Sequence, residues 1–110
     1  MDFSKLVKKV KKHWPSLIYW SSKSELIQAE ENISEKMIGL KDELLYRELS
    51  YSLMIYLSRK NCPKSGQLFD DVDFDQVKEL FERRISSWKK EGNGFTSDVA
   101  ARERYFADNL

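Results

Sequence analysis

One hundred and ten residues, 41% apolar, 34% charged and 13% aromatic, are enough for one hydrophobic core and too few for two, and that apolar content excludes a disordered chain. Nineteen basic and eighteen acidic side chains leave a formal charge of +1, so the total charge requires neither nucleic acid, an anionic membrane nor a polyanionic substrate as partner. The lone cysteine, Cys62, has no internal disulfide partner, which points to a reducing, cytoplasmic setting.

Phe3, Leu6, Val7, Val10 and Trp14 follow the i, i+3, i+4, i+7, i+11 series and predict a helix from about Asp2 to His13, ended by Pro15. Lys5, Lys8, Lys9, Lys11 and Lys12 fall away from that stripe. The basic stretch followed by Leu17, Ile18, Tyr19 and Trp20 has the order of a signal peptide, but the apolar patch is too short for one. It is expected to pack as a turn or short extended piece. No run of about 18 uncharged apolar residues predicts a membrane span.

Ser22 with Glu25 has the capping-box form, and predicts a second helix with Leu26, Ile27, Ile33, Met37 and Ile38 as its apolar positions. Gly39 predicts a break or kink. From about Leu40 to Arg59 the chain is apolar nearly all round by its end, the pattern of the most buried helix. Asn61, Cys62, Pro63, Lys64, Ser65 and Gly66 read as a linker, because proline and glycine disfavour either regular structure. Asp73 with Gln76 then caps a helix whose apolar series is Phe74, Val77, Phe81, Ile85 and Trp88, with Lys89 and Lys90 in its last turn and Gly92 as its stop. Beyond Gly92-Asn93-Gly94, Thr96 or Ser97 caps a last helix carrying Val99, Glu103 and Phe106. No segment shows sustained strand-type alternation. The expected fold is all-α, a compact bundle of about five helices in one domain over residues 1–110.

Chemistry is scarce. With His13 as the only histidine, mechanisms using two imidazoles and zinc sites built on several histidines are excluded. Cys62 with His13 lacks any nucleophile signature, and Gly92 and Gly94 lack the glycines and lysine of a phosphate loop. Asp71, Asp73 and Asp75 with Glu82 occupy positions 1, 3, 5 and 12 of a calcium loop, yet the sixth position is Gln76 where the turn needs glycine, and a helical apolar series runs through it. These acids suit a helix N-terminus better. No catalytic residue, metal or cofactor is expected, and an enzyme using Asp73 and Glu82 as paired acids is the least favoured reading.

The charges segregate along the chain. Residues 1–24 hold six lysines against one aspartate, a balance of +5, whereas residues 25–82 hold thirteen acidic and seven basic side chains, a balance of −6. The leading expectation is a small cytoplasmic protein-binding module, an inhibitor of the antitoxin or immunity type. Its acidic surface, drawn from Glu31, Glu35, Asp70, Asp71, Asp73 and Asp75, would mask a cationic site on a partner such as a nuclease. Tyr46, Tyr51, Phe69 and Phe74 flank these acids and fit core better than contact. The alternative is a nucleic-acid or anionic-membrane-surface protein using Lys5, Lys8, Lys9 and Lys12.

Overall fold

The computed structural model describes residues 2–59 and 65–90. The first helix, α1, spans Phe3–Lys11, with the Asp2 carboxylate accepting from the Ser4 N–H at 3.0 Å as its N-cap. Lys8, Lys9 and Lys11 fall in its last turn, where positive charge suits the helix dipole. Leu6 and Val10 are buried, and Phe3 and Val7 pack half-buried beside them. Past its end, Trp14 is buried and its indole N–H donates to Ser50 Oγ at 3.0 Å.

The segment expected as a turn or short extended piece is a strand, β1, Leu17–Trp20, paired antiparallel with β2, Ser65–Leu68. This corrects the all-α expectation. The fold is mostly helical, with one two-stranded sheet whose register sets Leu17 opposite Leu68 and Trp20 opposite Ser65. Burial alternates along β1, Ile18 and Trp20 facing the core while Leu17 and Tyr19 stay exposed. All four residues are apolar, so the period of two leaves no trace in the hydropathy. Ser65 and Gly66, expected as linker, belong to β2, while Asn61, Cys62, Pro63 and Lys64 lie outside the described residues. Gly66 stands opposite Tyr19, and a Cβ there would meet Tyr19 Cδ2 at 3.3 Å. The missing side chain thus lets the ring lie over the partner strand.

The second helix, α2, Lys23–Glu35, begins at Ser22, whose hydroxyl accepts from the Glu25 N–H at 3.2 Å. Glu25 reaches back as a capping box requires, but its carboxylate takes the N–H and hydroxyl of Ser21, one residue upstream of the expected partner. Leu26 and Ile33 are buried on this helix and Met37 just beyond it, whereas Ile38, expected on the same apolar face, is exposed. The backbone turns at that point: α2 ends at Glu35, Gly39 has φ +88°, and α3, Glu43–Ser58, follows an Asp42 with φ +62°. The left-handed region is cheap for glycine and costly for other residues. A Cβ on Gly39 would meet no atom within 4 Å, so Gly39→Ala isolates the backbone term. The substitution is expected to cost about 1–2 kcal/mol in urea unfolding. An unchanged midpoint would show that Gly39 does not hold this conformation.

α3 is the central element: α1, α2 and α4 each lie against it, and from Glu48 to Ser58 every residue is buried. Three of those residues are buried serines whose hydroxyls are bonded. Ser52 donates to the Glu48 carbonyl at 2.9 Å, Ser58 donates to that of Ile55 at 2.8 Å, and Ser50 accepts from Trp14. After β2, a single 3₁₀ turn at Phe69–Asp71 buries Phe69 and leads into α4, Phe74–Lys90. Asp73 caps α4, its carboxylate accepting from the N–H groups of Asp75 and Gln76 and from the Gln76 amide. Val77, Leu80, Phe81 and Ile85 form its buried stripe. The described residues thus hold four helices, where four of the about five expected fall, together with the ribbon. The last expected helix, with Val99, Glu103 and Phe106, lies outside them.

Candidate acidic surface and groove

Three charged side chains are buried among the described residues, Glu30 of α2, Glu48 of α3 and Arg84 of α4, and the Glu30 carboxylate accepts from the Ser34 hydroxyl at 2.6 Å. Arg84 of α4 grips Glu48 of α3 as a fork, Nε to Oε2 at 2.6 Å and Nη2 to Oε1 at 2.9 Å, with its guanidinium 4.4 Å from the centroid of the Tyr51 ring. Neither charge of this fork could be paired from sequence, because Arg84 stands beside Glu82 and Arg83 in a stretch of surface type and nothing near Glu48 points to a partner 36 positions away. Their burial becomes visible only when α3 and α4 meet. The pair orients the two helices and is closed to solvent, so it is no ligand site.

The expected contact residues lie on the surface, but in two places. Glu31 and Glu35 are exposed on α2, a helix packed on α3 and β1. Asp70, Asp71, Asp73 and Asp75 are exposed around the 3₁₀ turn and the start of α4. Asp73 is occupied as the helix cap, and Asp70 accepts from Lys11 Nζ at 2.5 Å. Asp71 and Asp75 remain as outward carboxylates of this group. The calcium-loop order is not realised, since Asp75 and Glu82 are on α4 itself, and no group of three or more potential metal ligands gathers among the described residues. Tyr46, Tyr51 and Phe69 are core, and Phe74 is half-buried against it.

Lys5, Lys8, Lys9 and Lys12 are all exposed on α1 and its C-cap. The fold brings this basic helix alongside the acidic cluster. The Lys11–Asp70 pair joins them, and Lys11 Nζ also stands 6.0 Å from the centroid of Phe69. Between α1 and the start of α4 runs an open groove of about 910 Å³. Its floor is aromatic: Phe3 packs against Phe81 at 5.8 Å between centroids, and Phe69 against Phe74 at 5.2 Å. Lys8 and Lys11 border it from α1, and Asp70, Asp75 and Glu82 from the other side.

The groove was not foreseen. The sequence sets Glu82 at a calcium-loop position and Phe3 on a core stripe, but the joint placement of Phe3, Lys11, Lys78 and Glu82 depends on how α1 and α4 meet. Only the spacing of Ser4, Lys8 and Lys11 by four and three carried a local signal. No helix among the described residues is long and apolar enough to cross a membrane. Comparison with protein-family models, curated proteins and solved structures finds no match to this chain.

Proposed function

We propose that this chain is a small intracellular protein-binding module, not an enzyme, acting as an inhibitor of the antitoxin or immunity type whose acidic surface masks a cationic site on a partner such as a nuclease. The supporting observation is the grouping of exposed Asp70, Asp71 and Asp75 beside the half-buried Phe74, whose ring packs on the core Phe69. Carboxylates at a rim speed encounter with a basic partner, and the half-buried Phe74 ring supplies apolar area that slows dissociation. Glu31 and Glu35 form a separate acidic patch and serve as its second contact or as solvated surface.

The test is capture with the full chain from its native source, followed by association kinetics with the captured protein. Asp71→Lys with Asp75→Lys is expected to lower the association rate about tenfold at low salt, with the difference shrinking as salt is raised. Lys11–Asp70 and the Asp73 cap are left intact in that variant. An unchanged rate, or no stable protein partner, would overturn the reading. The alternative through Lys5, Lys8, Lys9 and Lys12 predicts steeply salt-dependent binding to DNA, RNA or anionic vesicles. The carboxylates set next to that helix by the Lys11–Asp70 pair oppose it.

A further inference from the structure

We propose that the groove between α1 and α4 receives the apolar face of an amphipathic helix from the protein partner. Basic residues of that helix would lie along the edge facing Asp75 and Glu82, with an acidic residue along the edge facing Lys8. The inference rests on the protein-binding reading above and names the kind of segment that binds.

Shape is the first argument. α1 and α4 run antiparallel on α3, because Lys11 at the end of α1 meets Asp70 just ahead of α4, while Phe3 at the start of α1 meets Phe81 midway along α4. Two ridges on a common base leave a trough of the kind that seats a third helix, as in the helix-in-groove mode of recognition. α1 has nine residues, roughly 13 Å of helix. The trough therefore takes two or three anchoring side chains at i, i+3 or i+4, and i+7.

Its floor is the second argument. Phe3, Val7 and Phe74 are only half-buried although they pack on the core, so apolar surface is left facing water. An inserted aliphatic or aromatic side chain would cover it. Lys78 Nζ, 5.9 Å from the Phe3 ring centroid, lies over part of that floor and would be displaced by an inserted apolar side chain.

Charge selects the occupant. Ser4, Lys8 and Lys11 form one rim, and Asp75, Lys78 and Glu82 the other, each spaced as one helical stripe. The first rim is basic beyond the capping Asp2, and the second is acidic at both ends with Lys78 between them. Nucleic acid would be attracted by one rim and repelled by the other, whereas a helix with opposite charges on its two flanks satisfies both. A helix entered in the reverse direction exchanges its flanks, so the rims also select direction.

The test uses three synthetic peptides of about 15 residues sharing one leucine stripe. Their flanks are lysine on one side and glutamate on the other, lysine on both, or glutamate on both. Fluorescence anisotropy with the full chain is expected to show the mixed-flank peptide binding about tenfold tighter than either uniform one. Asp75→Lys with Glu82→Lys should transfer the preference to the glutamate peptide. Val7→Arg, which fills the trough, should abolish binding while leaving the circular dichroism of the fold intact. No binding of any peptide, equal binding of all three, or a preference unmoved by charge reversal would overturn the inference. The two readings fail separately. A captured partner whose affinity ignores Val7→Arg removes the groove but keeps the acidic surface, and absence of any captured partner removes the binding-module reading whatever the peptides do.

Discussion

Arg84→Met is expected to remove about 3–5 kcal/mol of folding stability, because it leaves the Glu48 carboxylate buried with no positive partner. Arg84 is 0% exposed and Glu48 4%, so solvent cannot supply the lost solvation. The fork geometry, with bonds of 2.6 and 2.9 Å, is the arrangement in which a guanidinium best repays its own desolvation. Glu48→Leu should also destabilise, since it removes the carboxylate that takes both bonds of the fork from the buried guanidinium. Combining the two changes should recover most of the loss, because an apolar pair of similar volume incurs neither desolvation cost. Urea unfolding of the four proteins forms a double-mutant cycle. A single-variant loss below about 1 kcal/mol would mean the pair is solvated, with α3 and α4 packed otherwise than described.

Trp14→Ala is expected to cost a similar about 3–5 kcal/mol, through the cavity left where the indole fills the space between the end of α1 and α3. Trp14→Phe keeps most of the apolar volume but removes the N–H that bonds Ser50 at 3.0 Å, for an expected loss of about 1–2 kcal/mol. Ser50→Ala should cost about 1–3 kcal/mol, as it leaves the buried indole N–H without an acceptor. In the double variant the two losses should not add, because the single hydrogen bond can be lost only once. Full additivity in thermal or urea unfolding would mean that the bond does not form.

The Trp14 effect bears on the proposed groove through α1. Trp14 anchors the end of the helix that builds one wall of the groove, and the exposed Lys11–Asp70 pair adds little at that end, an exposed pair contributing about 0–1 kcal/mol. The wall is thus held by apolar packing on α3, leaving its outward charges free to be varied. Charge reversals at Asp71, Asp75 and Glu82 can accordingly probe binding without unfolding the chain.

The parts of this molecule legible in its sequence are those written within one turn of helix. The stripe Leu6–Val10–Trp14, the caps at Ser22 and Asp73, the break at Gly39 and the buried character of α3 all follow from periodicity and local backbone chemistry, which act over three or four residues. Pairings between distant residues follow another rule. Trp14 with Ser50 and Glu48 with Arg84 are each 36 positions apart, and Lys11 with Asp70 is 59 apart. Nothing local to either member announces the other, because each pair exists only once two helix faces have met. The same holds for β1, four apolar residues whose alternation appeared only when β2 paired along one edge and α2 packed against the strand. The basic and acidic halves, separate in the chain, became the two rims of one groove because α1 and α4 share α3 as their base. Net charge along a sequence says how much charge there is, and the tertiary packing decides which charges become neighbours.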